Sequence, residues 1–167
     1  LYLINQLKPD YIINGTSTIL DKRLLSIPKF GVLNIHGAPL PEYRGAGNYI
    51  WMLIDNLKYA NSTLHYVDEG LDSGEIILKS EKIYINKNMS SFELWLKIRL
   101  KTKDLFKKLD SYFDSSTKIP SYSQNKKHAI NRSLPKKDDV KRLQNLGHKI
   151  IKFKEICLKM IIPLLFL

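Results

Sequence analysis

A single cysteine, Cys157, stands among 167 residues. That excludes a disulfide framework and fits a reducing compartment, so a cytoplasmic location is the expectation. Long apolar runs are as scarce. The most apolar stretch, Ile156 to Leu167, falls short of the ~20 residues a spanning helix needs and carries Lys159 and Pro163. It reads as a buried terminal segment or the stub of something longer, and no membrane is expected. No Met opens the chain and no signal-peptide pattern follows. Arginine is thin too: five of the 27 basic residues are Arg, which weakens the case that the net charge of +11 is a nucleic-acid footprint. The charge is unevenly placed all the same. Residues 1–102 hold 12 Lys and Arg against 10 Asp and Glu, and residues 103–167 hold 15 against 6. A basic second half would suit a tRNA substrate, whereas Lys-rich usage from an AT-rich genome produces the same excess.

What the chain does have is one domain's length and a loaded stretch from Gly31 to Gly45, GVLNIHGAPLPEYRG. Val32 to Ile35 read as a buried strand opening into a loop that Pro39 and Pro41 stiffen. Asn34 and His36, two apart, point to one side of that strand. A second stretch, Thr63 to Ile77, reads as strand, glycine-punctuated acidic loop and strand, with Asp68, Asp72, Gly70 and Gly74 in the loop. An Asn-x-His strand end and an Asp in a glycine loop are the parts of a polar site built at strand ends. His65, Asp68 and Asp72 could also be read as a metal cluster, a reading disfavoured because no Cys is near.

Around these stretches the pattern is an α/β alternation. Leu1 to Lys8 resemble the end of a helix, and Tyr11 to Ile13 a buried parallel strand. Asp21 to Ile27 read as a short helix stopped by Pro28, with Asp21 or Thr18 as its cap. Gly47 to Asn56 read as a helix anchored in the core by Trp51. Ser90 and Glu93 form a capping-box pattern ahead of a helix to about Asp110, with Leu94, Ile98, Leu105 and Leu109 on one face. From Asp114 to Pro135 there is no periodicity, which suggests an extended surface segment or linker. Asp138 to Leu146 read as a helix ended by Gly147, and His148 to Phe153 as a strand.

Three motifs in order, Asn34-x-His36, Leu40-Pro41-x-Tyr43-Arg44-Gly45 and Asp68-x-Gly70-Leu71-Asp72-Ser73-Gly74, resemble the formyltransferase family that uses 10-formyltetrahydrofolate. That family includes methionyl-tRNA, glycinamide ribonucleotide and amino-sugar N-formyltransferases. The resemblance runs from about Pro9 to Ile77. It implies an α/β fold with a mostly parallel, Rossmann-like sheet lacking its first strands, and a site at the strands' carboxyl ends. Residues 1–113 would be the catalytic half of such a domain, and residues 114–167 a basic extension. The resemblance implies Asn34, His36 and Asp72 as the catalytic set, with no metal. It places Thr18, Ile19 and Leu20 by the pterin, Asp68, Glu69 and Gly70 on the folate, and Pro39 and Arg44 towards the acceptor. For Arg44, a clamp on backbone carbonyls is the competing role. Gly37-Ala38-Pro39 replaces a commoner Pro-Ser-Leu or Ala-Ser-Leu of the family, a departure that bears on the acceptor.

The expected activity is formyl transfer from 10-formyltetrahydrofolate to a small-molecule primary amine. A nucleotide-linked amino sugar is favoured, because no barrel-like segment follows Pro135. Methionyl-tRNA is the runner-up acceptor, and a second copy of the chain is a further candidate partner. Formyltetrahydrofolate deformylase, which passes the formyl group to water, and an inactive fragment are the alternatives.

Overall fold

The computed structural model describes residues 1–16, 18–113, 117–152 and 155. Helix α1 (Tyr2–Leu7) closes at Lys8 in the left-handed conformation, and β1 (Tyr11–Asn14) follows. Helix α2 (Lys22–Leu25) is capped by Asp21, whose carboxylate accepts from the Arg23 amide, so Asp21 rather than Thr18 is the cap. Strand β2 (Gly31–His36) leads through the Pro39–Pro41 loop to β3 (Arg44–Gly45) and α3 (Asn48–Ile54). Then come β4 (Tyr59–Ala60), β5 (Thr63–Tyr66), β6 (Ile76–Lys79) and β7 (Ile83–Tyr84). Helix α4 (Ser91–Phe113), β8 (Asn131–Arg132) and α5 (Lys137–Asn145) complete the order.

The central sheet has the order β1-β2-β5-β6. The fold is α/β, as expected, but the strands here are mixed: β1 and β2 run parallel, while β2–β5 and β5–β6 are antiparallel. The reason is local. β5 and β6 are joined by a loop of nine residues with no crossover helix, and a parallel pair requires a crossover of a dozen or more.

Helix α4 is the beam of the molecule. Leu94 and Ile98 enter one buried cluster with Met52, Leu53 and Ile54 of α3; Leu105 and Leu109 enter a second with Leu33, Leu64 and Ile77 of the sheet. Each of these fully buried side chains contributes about 1.5–3 kcal/mol. Trp51 is not the anchor of α3. It is half-buried, and its indole N–H reaches out to the Ser133 carbonyl at 2.8 Å. At the start of α4, Ser90 caps the Glu93 amide at 3.0 Å, but the Glu93 carboxylate pairs with Lys97 and Lys152. Residues 148–152 form no strand. Instead the Lys149 and Ile150 carbonyls accept from the Ser91 and Phe92 amides, satisfying donors that a helix start leaves open.

Residues 117–135 are extended, yet they brace the site rather than link two parts. Ile119 is fully buried, Tyr122 bridges Ile76, and β8 pairs in parallel with β3. The apolar stretch from Ile156 lies outside the described residues.

Candidate active site

In the antiparallel register of β2 and β5, Asn34 stands opposite His65 and His36 opposite Thr63. Residues directly opposite project to the same face, so an amide, two imidazoles and a hydroxyl arrive on one side of the sheet. The Thr63 hydroxyl donates to the Ala38 carbonyl at 2.8 Å and accepts from the Leu40 amide at 3.3 Å, which pins the loop that follows His36.

His65 is fully buried and holds Asn34. Its Nδ1 lies 2.7 Å from the Tyr66 carbonyl and carries the proton donated there, leaving Nε2 to accept from Asn34 Nδ2 at 3.2 Å. Burial pushes the His65 imidazole pKa down, outweighing the Asp72 carboxylate and the Tyr66 carbonyl, which act the other way. The ring is therefore neutral and an acceptor, and one Asn34 N–H is fixed while the other is free.

His36 is set by its loop. Its Nε2 donates to the Tyr43 carbonyl at 2.6 Å, and Nδ1 faces Asp72 Oδ2 at 3.4 Å. The same carboxylate accepts from the Gly45 amide at 2.8 Å and stands 3.6 Å from His65 Nε2. Asp72 reaches this position from a left-handed backbone, φ 47°, a conformation that costs a non-glycine residue on the order of 1–3 kcal/mol. Asn48, at the start of α3, donates to the Gly45 carbonyl at 2.9 Å and lies 3.0 Å from His36 Nε2.

Asn34, His36, His65 and Asp72 line one cavity of about 470 Å³. Thr18, Ile19 and Leu20 line it from the loop after β1, and Asp68 and Gly70 from the β5–β6 loop. Asp68 also shapes that loop, accepting from the Gly70 amide at 3.0 Å and the Ser73 hydroxyl at 2.7 Å.

Three expected site residues face elsewhere. Glu69 pairs with Lys22 on the surface at 2.6 Å. Pro39 is off the cavity and offers its carbonyl to the Tyr43 amide. Arg44 spends its guanidinium on Gln124 Oε1, at 2.7 and 3.1 Å, so it clamps a side-chain amide and not a backbone carbonyl. Gln124 completes the clamp by donating to the Asp72 and Gly74 carbonyls at 2.8 and 2.7 Å. Neither Gln124 nor Asn48 is marked by any sequence motif. His65 is, but as a metal ligand, and only the strand register shows it behind Asn34. Among the described residues no group of three or more His, Cys, Asp or Glu is arranged to hold a metal ion.

A mixed sheet with an Asn, a His and an Asp meeting in a cavity beside its strand ends defines a group-transfer type of site. The family described as formyl transferase matches residues 2–108, well over half of the sequence, and the chain belongs to that family. It is 41% identical over 106 residues to a methionyl-tRNA formyltransferase of Clostridium beijerinckii, a match covering 63% of this chain and 34% of that one. The chain thus spans about a third of the length of that relative. Among solved structures it resembles the formyltransferase PseJ from Anoxybacillus kamchatkensis, in complex with UDP-4,6-dideoxy-4-formamido-L-AltNAc and tetrahydrofolate. There the TM-score is 0.67 and the identity 26%, over 81% of this chain and 69% of that one. It also resembles phosphoribosylglycinamide formyltransferase from Bacillus halodurans, with TM-score 0.56 and 29% identity over 63% and 56% of the two chains.

Proposed function

We propose that this protein transfers a formyl group from 10-formyltetrahydrofolate to a primary amine, with Asn34, His36 and Asp72 as the catalytic set. The observation that carries the reading is their convergence: three residues from two distant motifs, joined through Gly45 and His65, on one cavity wall. A volume of about 470 Å³ suits a drug-sized ligand, and Ile19, Leu20, Val67 and Leu71 supply apolar surface for a flat heteroaromatic ring.

In the reaction the amine nitrogen attacks the formyl carbon and the carbonyl oxygen becomes an oxyanion. Collapse breaks the bond from that carbon to N10 of the folate, and N10 leaves with a proton. Asn34 has an N–H beyond the one given to His65, and it donates to the oxyanion. His36 and Asp72, 3.4 Å apart, take the proton that the amine loses and return it to N10. Asp72 favours the charged imidazole through its carboxylate, and the Tyr43 carbonyl holds the ring in place.

For the acceptor, the reading is a nucleotide-linked amino sugar. The likeness to PseJ covers 81% of this chain, beyond the 2–108 of the family match, so it includes part of the brace that holds the site. Methionyl-tRNA is the second reading, supported by 41% identity to the clostridial relative and by the basic second half.

The test is formyl transfer by the intact protein, supplied with 10-formyltetrahydrofolate and a panel of amines: nucleotide-linked amino sugars, glycinamide ribonucleotide and methionyl-tRNA. A formylated product that disappears in His36→Ala and Asp72→Asn supports the transferase and names its acceptor. Formate released without any amine would replace it by a hydrolase.

A further inference from the structure

Gly37, directly after His36, leaves no room for a side chain: a Cβ there would lie 2.4 Å from the Tyr49 hydroxyl. The phenol of Tyr49 takes that space beside the catalytic imidazole, and Arg99 of α4 hydrogen-bonds to it. Both residues line the cavity that holds Asn34, His36 and Asp72. Arg99 is exposed at its rim, with its guanidinium 5.9 Å from the ring centroid of Trp95, one turn earlier on α4. The cavity's other arginine, Arg132, is paired with Asp55. Among the described residues Arg99 has no carboxylate within ion-pair distance.

The chemistry of this pair is that of an anion subsite. An Arg N–H donating to the phenol oxygen leaves the phenol proton free for a ligand oxygen, and burial pushes the Tyr49 pKa up, which keeps that proton in place. The rest of the guanidinium fork faces solvent at the rim, a donor array that matches phosphate oxygens. The cavity is therefore asymmetric in charge, with Asp68 and Asp72 contributing carboxylates and Arg99 an uncompensated cation.

We propose that Arg99 and Tyr49 bind the phosphate of the acceptor, so that the substrate is a phosphorylated amine, nucleoside diphosphate-linked in the favoured case. This rests on the transfer reading above and adds the group by which the acceptor is recognised. Gly37 is part of the device, because any larger residue would displace Tyr49 from beside His36.

Calorimetric titration of the intact protein tests it, with UDP and 5-formyltetrahydrofolate added separately to the wild type, Arg99→Ala, Arg99→Lys and Tyr49→Phe. Arg99 is exposed, so its variants retain the fold. UDP affinity is expected to fall about tenfold to a hundredfold in Arg99→Ala, the loss typical of a charge-assisted hydrogen bond. It should fall less in Arg99→Lys, which keeps the charge without the fork. Folate affinity should be the same in all four proteins. UDP binding equally to wild type and Arg99→Ala, or to neither while the folate binds, overturns the subsite and leaves the transferase reading standing. Loss of the folate in Arg99→Ala also overturns it, by assigning Arg99 to the folate's glutamate carboxylates. A wild type that binds UDP through Arg99 but no folate would keep the anion subsite and sink the transfer reading.

Discussion

Gln124 holds Arg44: its carboxamide oxygen accepts from Nε and Nη2 of the guanidinium at 3.1 and 2.7 Å, while its NH₂ group donates to the carbonyls of Asp72 and Gly74. One side chain, 80 residues away in sequence, thus ties the loop after β2 to the loop after β5. The geometry between His36 and Asp72 depends on those two loops keeping their distance.

Gln124→Leu keeps the volume and removes all four bonds, leaving two carbonyls and a guanidinium without their partner. The expected loss is about 2–4 kcal/mol of stability, from the cost of unsatisfied polar groups. Urea denaturation measures it, and a loss below about 0.5 kcal/mol, the range of ordinary surface changes, would contradict the clamp. Formyl transfer should fall as well, at a temperature where the variant is still folded.

Asn34→Ala removes the donor assigned to the oxyanion, so kcat should drop on the order of 100-fold or more with little change in the donor's KM. His65→Gln acts through Asn34 and should cost less. Steady-state kinetics on both variants check the order, and a larger effect at His65 would place it in contact with the reacting atoms.

His65 makes stability depend on pH. Its folded pKa is lowered by burial below the ordinary 6.5, so below pH 6.5 the unfolded chain takes up a proton that the folded one refuses. Unfolding free energy should therefore be flat in this respect above pH 6.5 and fall as pH drops from 6.5 towards the lowered folded value. Denaturation curves between pH 5 and 7.5 should show a shallower decline in His65→Gln than in the wild type. Equal slopes would mean that the ring does not stay neutral in the fold.

Two glycines separate backbone strain from crowding. Gly45 (φ 90°) and Gly147 (φ 85°) share a left-handed backbone, but a Cβ at Gly45 would meet the Arg132 carbonyl oxygen at 2.2 Å, whereas at Gly147 nothing lies within 4 Å. Gly147→Ala should cost about 1 kcal/mol, the conformational penalty alone. Gly45→Ala should cost on the order of 3 kcal/mol, because β8 must also move off β3. Thermal denaturation of the pair compares them directly, and equal losses would show that β8 yields freely.

Much of this was written locally. Alternation and glycine punctuation marked β1, β2, β5 and β6, and the apolar stripe of α4 predicted the side chains that fill both clusters, because a helix in water buries its apolar face. Asn34 and His36 share a face by the two-residue period of a strand. Trp51 misled, since size suggests a core position while its N–H needs a partner and found one at Ser133. Glu69 and Arg44 misled for a related reason. A charge in a site-like motif has the same letters whether it faces a ligand or a neighbour.

The sequence by itself determined the α/β class, the family and the residue types of the site, since period, turn chemistry and motif are properties of short stretches. Tertiary structure alone decided that β5 runs antiparallel to β2, that His65 therefore stands behind Asn34, and that Gln124 braces Arg44 against the Asp72 loop. Each of these joins residues 31 to 80 positions apart, and such a pairing is chosen by the register and packing of the whole sheet, which no local pattern encodes.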